Sequence, residues 1–374
     1  MSEIVIAGCG FAACTAIRTL RRLGCQDGIT VVSPRAELFY YPSLIWVPAG
    51  RRTEHDLRVP LDRFFTRMGV RHVAASATGL DAGARLLRTT VGDVAYGDLL
   101  IASGGQYLRK LPGIEHAHIA CAGWADVKSY SDKLRALSGG HLAFGFAGNP
   151  NEPTAMRGGP VFEFLFGLDT LLRHEKRRGH FELTFFNPAE KPGARLGEKA
   201  VERLLGEMRR RGIHLHLGHK LKAIEPGRVL TEGGEVKSDL TLFIPGMTGP
   251  DWARDSGLPL SEGGFFKGDA QCRAEGAENV YVAGDAGSFP GPDWKPKQAH
   301  MADLQAECAV KNLLAARAGR PQTHTFRTEL VCIVDALGTG MLVYRDEKRG
   351  FQIKGKPLHW AKRWFEGRYL RPYR

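Results

Sequence analysis

Hydrophobic residues near the start of the chain come in short runs broken by turns. Ile4-Val5-Ile6-Ala7 is a four-residue apolar run, followed at once by Gly8-Cys9-Gly10-Phe11-Ala12-Ala13 and then by residues 14–23, whose apolar spacing is helical. A second apolar run over residues 28–33 completes a unit of strand, glycine turn, helix and strand. That order gives the G-x-G-x-x-A spacing the context it needs to signal a dinucleotide site. Gly8 permits the tight turn, Gly10 has no Cβ to block a pyrophosphate, and Ala13 lets the helix pack on the strand. The phosphates would lie on free N–H groups at the helix start, where the dipole also favours anions. The position that usually carries an acid for the ribose hydroxyls falls in Val31-Val32-Ser33-Pro34-Arg35, where Ser33 can still bond a ribose. An ordinary glycine-rich turn is the plainer alternative.

Farther along, residues 38–48 are too aromatic and proline-broken for a regular element, and suit either core or the edge of a flat ring system. Residues 71–75 and 85–89 read as strands. An apolar strand over 96–105 stops at Ala102-Ser103-Gly104-Gly105, a small-residue turn that lets backbone approach a ligand. A second unit begins near His118, with strands at 141–146, 181–186, 213–217 and 240–244 and helices at 157–176 and 198–211. Its first strand runs into Ala147-Gly148-Asn149-Pro150-Asn151-Glu152-Pro153, with two prolines and a glutamate where a second dinucleotide would need free N–H groups. The unit is therefore expected to have the shape of a nucleotide domain without binding NADH. Residues 278–286 return to the first unit as a buried strand ending in Gly284-Asp285, at the carboxyl end where parallel sheets hold ligands. A helix over 297–318, two short strands (329–334 and 341–345) and a helical tail complete the pattern.

At 374 residues and 43% apolar, the chain predicts two or three domains with real cores. No apolar run approaches the ~18 to 20 residues of a membrane-spanning helix, and Glu3 leads straight into a strand without a secretory pattern. A cytoplasmic location is the expectation. Seven cysteines show neither C-x-x-C nor zinc spacing, so no metal site is expected. The net charge of +12 is uneven: residues 351–374 hold seven basic residues and one acid, half of the total. A local patch implies a local anionic partner. Residues 358–371 place Trp360, Ala361, Trp364 and Phe365 on one helical face with Lys362, Arg363 and Arg371 largely elsewhere, the pattern of a helix lying in a membrane surface. A packed terminal helix is the competing reading. Nucleic acid ranks last, for want of any accompanying nucleic-acid motif.

The glycine turn, the strand ending at Gly104 and the strand ending at Asp285 occur in the order seen in two-dinucleotide-domain flavoproteins, where they surround FAD. Narrower matches resemble the sulfide:quinone oxidoreductases and the flavin subunit of flavocytochrome c sulfide dehydrogenase. They are Gly159-Pro160-Val161-Phe162-Glu163-Phe164, Pro296-Lys297, Val331-Cys332-Ile333-Val334-Asp335-Ala336-Leu337-Gly338 and Trp360-Ala361-Lys362-Arg363-Trp364-Phe365-Glu366. The resemblance implies an α/β, glutathione-reductase-like fold of two Rossmann-like domains, with the FAD domain at 1–115 and 239–320, the second Rossmann-like domain at 116–238 and a C-terminal region at 321–374. It implies FAD held by Gly8, Gly10, Ala13, Ser33, Pro34, Arg35, Ala102, Ser103, Gly104, Gly284, Asp285 and Lys297, and a quinone acceptor reached from the inner face of the cell membrane. Lys297, at a helix start, would stabilise negative charge on a reduced flavin.

In that family two cysteines beside the flavin form the working disulfide. Cys332 matches one position, while Arg157 stands at the other, and Cys121 matches a third, less central cysteine. The usual disulfide therefore cannot form. Pairing of Cys121 with Cys332 is one substitute, and Arg157, if it points inward, would lower a thiol pKa or attract HS⁻, with solvation at the helix start as the competing reading. Glu163 resembles a family acid/base residue, and an idle helix-face carboxylate competes with that role. The expected activity is oxidation of sulfide or a similar sulfur species with reduction of quinone, and homo-oligomers are left open. The alternatives are an NAD(P)H-dependent flavin oxidoreductase and a redox-sensing flavoprotein without turnover.

Overall fold

The computed structural model describes residues 3–374. The chain starts with β1 (Ile4–Ala7), α1 (Phe11–Arg22), β2 (Ile29–Ser33), β3 (Val70–Ala74) and β4 (Asp98–Ile101). The second unit contains β5 (Ala117–His118), α2 (Trp124–Ala136), β6 (Gly140–Phe146), α3 (Gly159–His174), β7 (Phe181–Asn187), α4 (Glu198–Arg210), β8 (His214–Leu217) and β9 (Leu240–Ile244). β10 (Val280–Val282) and α5 (Ala299–Arg317) then return to the first sheet. The chain closes with β11 (Leu330–Asp335), β12 (Gly340–Arg345), β13 (Gly350–Gly355) and α6 (Pro357–Leu370).

Two five-stranded parallel sheets result, in the orders β10-β4-β1-β2-β3 and β5-β9-β6-β7-β8. Every residue of β1, β2, β4 and β10 is buried, as the continuous apolar runs require of parallel strands covered on both faces. This is the α/β, two-Rossmann arrangement. Parallel pairing also fixes the site. Ala7 and Val282 are both in register with Ile101, so β1, β4 and β10 end level and their turns emerge together.

Some local expectations shift. Residues 38–48 do contain regular structure: Glu37–Phe39 pairs with Arg58–Pro60, and Tyr41–Trp46 is a 3-10 helix. Pro42 lies at the start of that helix, where its missing N–H removes no internal hydrogen bond. β13 adds a third strand where two were expected, giving an antiparallel β11-β12-β13 sheet that seats α6.

Candidate active site

The β1–α1 turn is built for a ligand backbone. Gly8 has φ +117°, and a Cβ there would lie 2.3 Å from the carbonyl oxygen of Ala102, so the close approach of the turn to the end of β4 requires glycine. A Cβ at Gly10 would meet no protein atom within 4 Å. Gly10 caps α1 without any side chain bonding the first-turn amides, so those donors and the helix dipole face open space. Ala13 is fully buried under the turn. Gly284, at φ +75°, wedges the β10 turn between Ala12 of α1 and Ala302 of α5, and its N–H donates to Gln305 Oε1 at 2.9 Å. Ser103 and Gly104 leave β4 beside it, with the Ser103 hydroxyl accepting from Trp252 Nε1 at 3.2 Å. At the end of β2, Ser33 is buried and donates to Arg35 O (2.9 Å), with His72 Nε2 at 3.1 Å, while Arg35 pairs with Glu37. The Ser33 hydrogen is thus committed to its own chain rather than to a ribose, and Pro34 follows as the turn residue.

Arg157, Asp285 and Lys297 converge from three elements. The Arg157 guanidinium forms an ion pair with the Asp285 carboxylate across the two sheets. Lys297, two residues before α5, donates to Gly287 O at 2.8 Å and lies 3.8 Å from the Phe265 ring centroid. Burial pushes its ammonium down to about 8, against the pull of Asp285 and Glu152. The Tyr107 hydroxyl is buried beside Arg157 and lacks a hydrogen-bond partner of normal geometry among the described residues. Sequence reasoning missed Tyr107, and no local signal marks it.

Cys332 lies on β11 against the start of α3, where a Cβ at Gly159 would be 3.6 Å from its Sγ. Both Cys332 and Cys121 are free thiols, so the substitute disulfide is not formed here. Burial pushes each thiol up to about 12, and the opposing cations are Lys362 at Cys332, Arg157 and Lys362 at Cys121. Glu163 is buried on α3, where its Oε1 accepts from the Asp335 N–H (2.9 Å) and from Lys362 Nζ. Burial raises its carboxyl to about 7, while Lys362 pulls it down. Asp335 in turn accepts from Trp46 Nε1 (3.2 Å) and faces His359 Nδ1 at 2.6 Å, and His359 Nε2 lies 3.2 Å from Arg51. Lys362 was expected on the solvated face of the tail helix. It instead turns inward to Glu163, because a buried carboxylate needs a countercharge.

The loop between β6 and α3 is bonded to the segment after β9. Asn149 Nδ2 donates to Met247 O (2.8 Å) and Gly263 O (3.2 Å), and Glu152 Oε2 accepts from the Ser261 hydroxyl at 2.5 Å. Asn187, at the end of β7, donates to Phe146 O at 2.8 Å instead of facing out. The ends of β6 and β7 are thus bonded to one another through Asn187.

Residues 2–306 match the pyridine nucleotide-disulphide oxidoreductase family. The chain belongs to that family. As such it is an FAD-dependent oxidoreductase. Its solved structural neighbours include the sulfide:quinone oxidoreductase of Aquifex aeolicus, with a TM-score of 0.92 and 22% identity over 100% of this chain and 92% of that one. Curated relatives include an NADH dehydrogenase-like protein of Mycobacterium tuberculosis, 26% identical over 76% of this chain and 72% of the relative. Another is the type II NADH:quinone oxidoreductase of Staphylococcus saprophyticus, 22% identical over 96% and 93%. The residues present fit FAD. The open space at Gly10, the uncapped amides of α1 and the level strand ends make the cradle a dinucleotide needs, with Gly284, Asp285 and Lys297 at its far end.

Proposed function

We propose that this family member oxidises sulfide, or a related small sulfur anion, and passes the electrons through FAD to a quinone at a membrane surface. The observation that supports the reading is the β6–α3 loop, whose Pro150 and Pro153 lack N–H groups and whose Asn149 and Glu152 are bonded to the segment after β9. In this reading the donor is not a pyridine nucleotide, and the side chains around the site suit an anionic sulfur compound. Arg157 offers a guanidinium with the Tyr107 hydroxyl beside it, and Cys332 a thiol against the start of α3 that burial keeps protonated. Bound FAD supplies the two-electron acceptor. Glu163, titrating near 7, is the group able to hold or release a proton near neutral pH, and Lys362 keeps its ionised form acceptable.

The surface near α6 supports a place on the inner face of the cytoplasmic membrane. Trp360 and Trp364 are 64% and 66% exposed, and Phe365, Phe351 and Ile353 stand exposed with them. Lys356, Arg363, Arg368 and Arg371 flank this apolar patch, the composition of an interfacial anchor. No helix of the described residues is long and apolar enough to cross a membrane.

Anaerobic stopped-flow mixing tests the donor. Sulfide should bleach the flavin and NADH should not. Rapid bleaching by NADH alone would replace this reading with the NADH:quinone activity carried by the Staphylococcus relative's name. Bleaching by neither would leave a flavoprotein that senses rather than turns over.

A further inference from the structure

A cavity of about 400 Å³, separate from the FAD cradle, lies between α4 and the C-terminal sheet. That size falls within the roughly 300–1,000 Å³ of ligand pockets. Its apolar floor is made by Phe166 of α3, Leu204 of α4, and Val334, Ala336 and Met341 of β11, β12 and the turn between them. Its rim is cationic: Arg203, Arg210, Arg211 and Lys354 all line it, against the single carboxylate of Glu207.

That one carboxylate is claimed three times. Arg211 Nε approaches Glu207 Oε1 at 2.7 Å, Lys354 Nζ approaches Oε2 at 2.9 Å, and Arg210 pairs with the same oxygen. Asp169, beneath them, is shared by Arg173, Arg178 and Arg211 and adds no spare negative charge. Arg203, one turn before Glu207, is exposed and has no ion-pair partner among the described residues. Burial and the nearby Arg210 and Arg211 hold the Lys354 ammonium below its usual value, as expected where cations gather without enough anions.

An apolar floor under a rim short of negative charge is complementary to a chain with a negative head. Carboxylate is the chemistry these cations already bind, and the floor takes an acyl tail. We propose that this cavity binds a single-chain amphiphile with a carboxylate head, a fatty-acid anion. Its tail lies on Phe166, Leu204 and Met341, and its head is taken by Arg203 with Arg210.

The FAD-loaded protein titrated calorimetrically with laurate tests this, with acetate as the head alone and dodecyl maltoside as the tail without charge. Laurate should bind one per chain, and neither control should displace it. Arg203→Glu with Arg210→Glu should weaken laurate about tenfold or more, the loss of charge-assisted hydrogen bonds. A Cβ at Gly206, which lines the cavity on α4, meets no atom within 4 Å, so Gly206→Phe should fill the mouth and abolish binding while the flavin spectrum stays unchanged. Trp360→Ala with Trp364→Ala should leave laurate affinity as it was. Equal binding of dodecyl maltoside, indifference to both cavity variants, or loss of binding in the tryptophan variant would each overturn the assignment.

Discussion

Replacing Lys362 with methionine isolates the countercharge of Glu163, and its effect should depend on pH in a way that packing loss cannot imitate. The Glu163 carboxyl is 5% exposed and titrates near 7, with burial as the main cause, against an ordinary value of 4.5. Between those two values the folded protein holds a proton that the unfolded chain has released. Stability therefore falls as pH rises through that window, and levels off above about 7 because ionised Glu163 is then accepted beside Lys362. Without the ammonium the carboxyl stays protonated beyond 7, and stability goes on falling by about 1.4 kcal/mol per pH unit. The gap between wild type and Lys362→Met should thus be flat below neutrality and wider by about 2 kcal/mol at about pH 8.5. Loss of the lysine's aliphatic packing contributes the same offset at every pH and drops out of the comparison. Urea unfolding of FAD-loaded protein, followed by tryptophan fluorescence at several pH values from about 6 to 8.5, measures it. A gap of constant size across that range would refute the reasoning, since Glu163 could not then be titrating near 7. Glu163→Gln should remove the part of the fall in stability between about pH 6 and 7, leaving the part below about 6 that comes from Asp303, whose carboxyl burial raises to about 6.

Gly10→Ala should leave the thermal stability of the FAD-free protein unchanged, because its Cβ meets no protein atom, yet lower the flavin bound per chain as read by absorbance. Gly8→Ala, with its Cβ 2.3 Å from Ala102 O at a left-handed φ, should instead destabilise the protein itself by about 2 kcal/mol or more. Asn149→Ala removes two buried hydrogen bonds and should cost about 2 kcal/mol in urea unfolding without gaining NADH-dependent flavin reduction. Trp360→Ala with Trp364→Ala should abolish cosedimentation with anionic vesicles while flavin content holds, and undiminished binding would remove the helix from the membrane reading.

The FAD cradle was legible in the sequence because its constraints are local. Gly8, Gly10 and Ala13 act within one turn, and the level ends of β1, β4 and β10 follow from parallel pairing of short apolar runs. The loop at Asn149 departs from a glycine-rich turn for a reason equally local, since Pro150 and Pro153 carry no N–H. The ion pair of Arg157 with Asp285 joins residues 128 apart, and the Lys362–Glu163 pair joins residues 199 apart, so spacing along the chain could mark neither.

The tail helix shows most clearly why pattern alone fell short. Its amphipathic reading placed the cations in solvent, yet α6 buries His359, Glu366 and Leu370 and turns Lys362 inward with them, while Trp360, Trp364 and Phe365 face out. Polar residues at this spacing signal solvent unless partners wait for them. Here Asp335 receives His359, Glu163 receives Lys362, and Arg52, stacked 4.7 Å from the Trp46 ring centroid, receives Glu366. Glu163 and Arg52 lie 199 and 314 residues from their partners in the tail, and Asp335 lies 24 from His359. A terminal helix packed by its apolar face would hide the tryptophans and expose these ions. These ion pairs, together with Leu370 and Tyr373 in the core, seat one face of α6 and leave Trp360, Trp364 and Phe365 on the other face uncovered. The helix that presents Trp360 and Trp364 outward is thus the one that delivers Lys362 to Glu163.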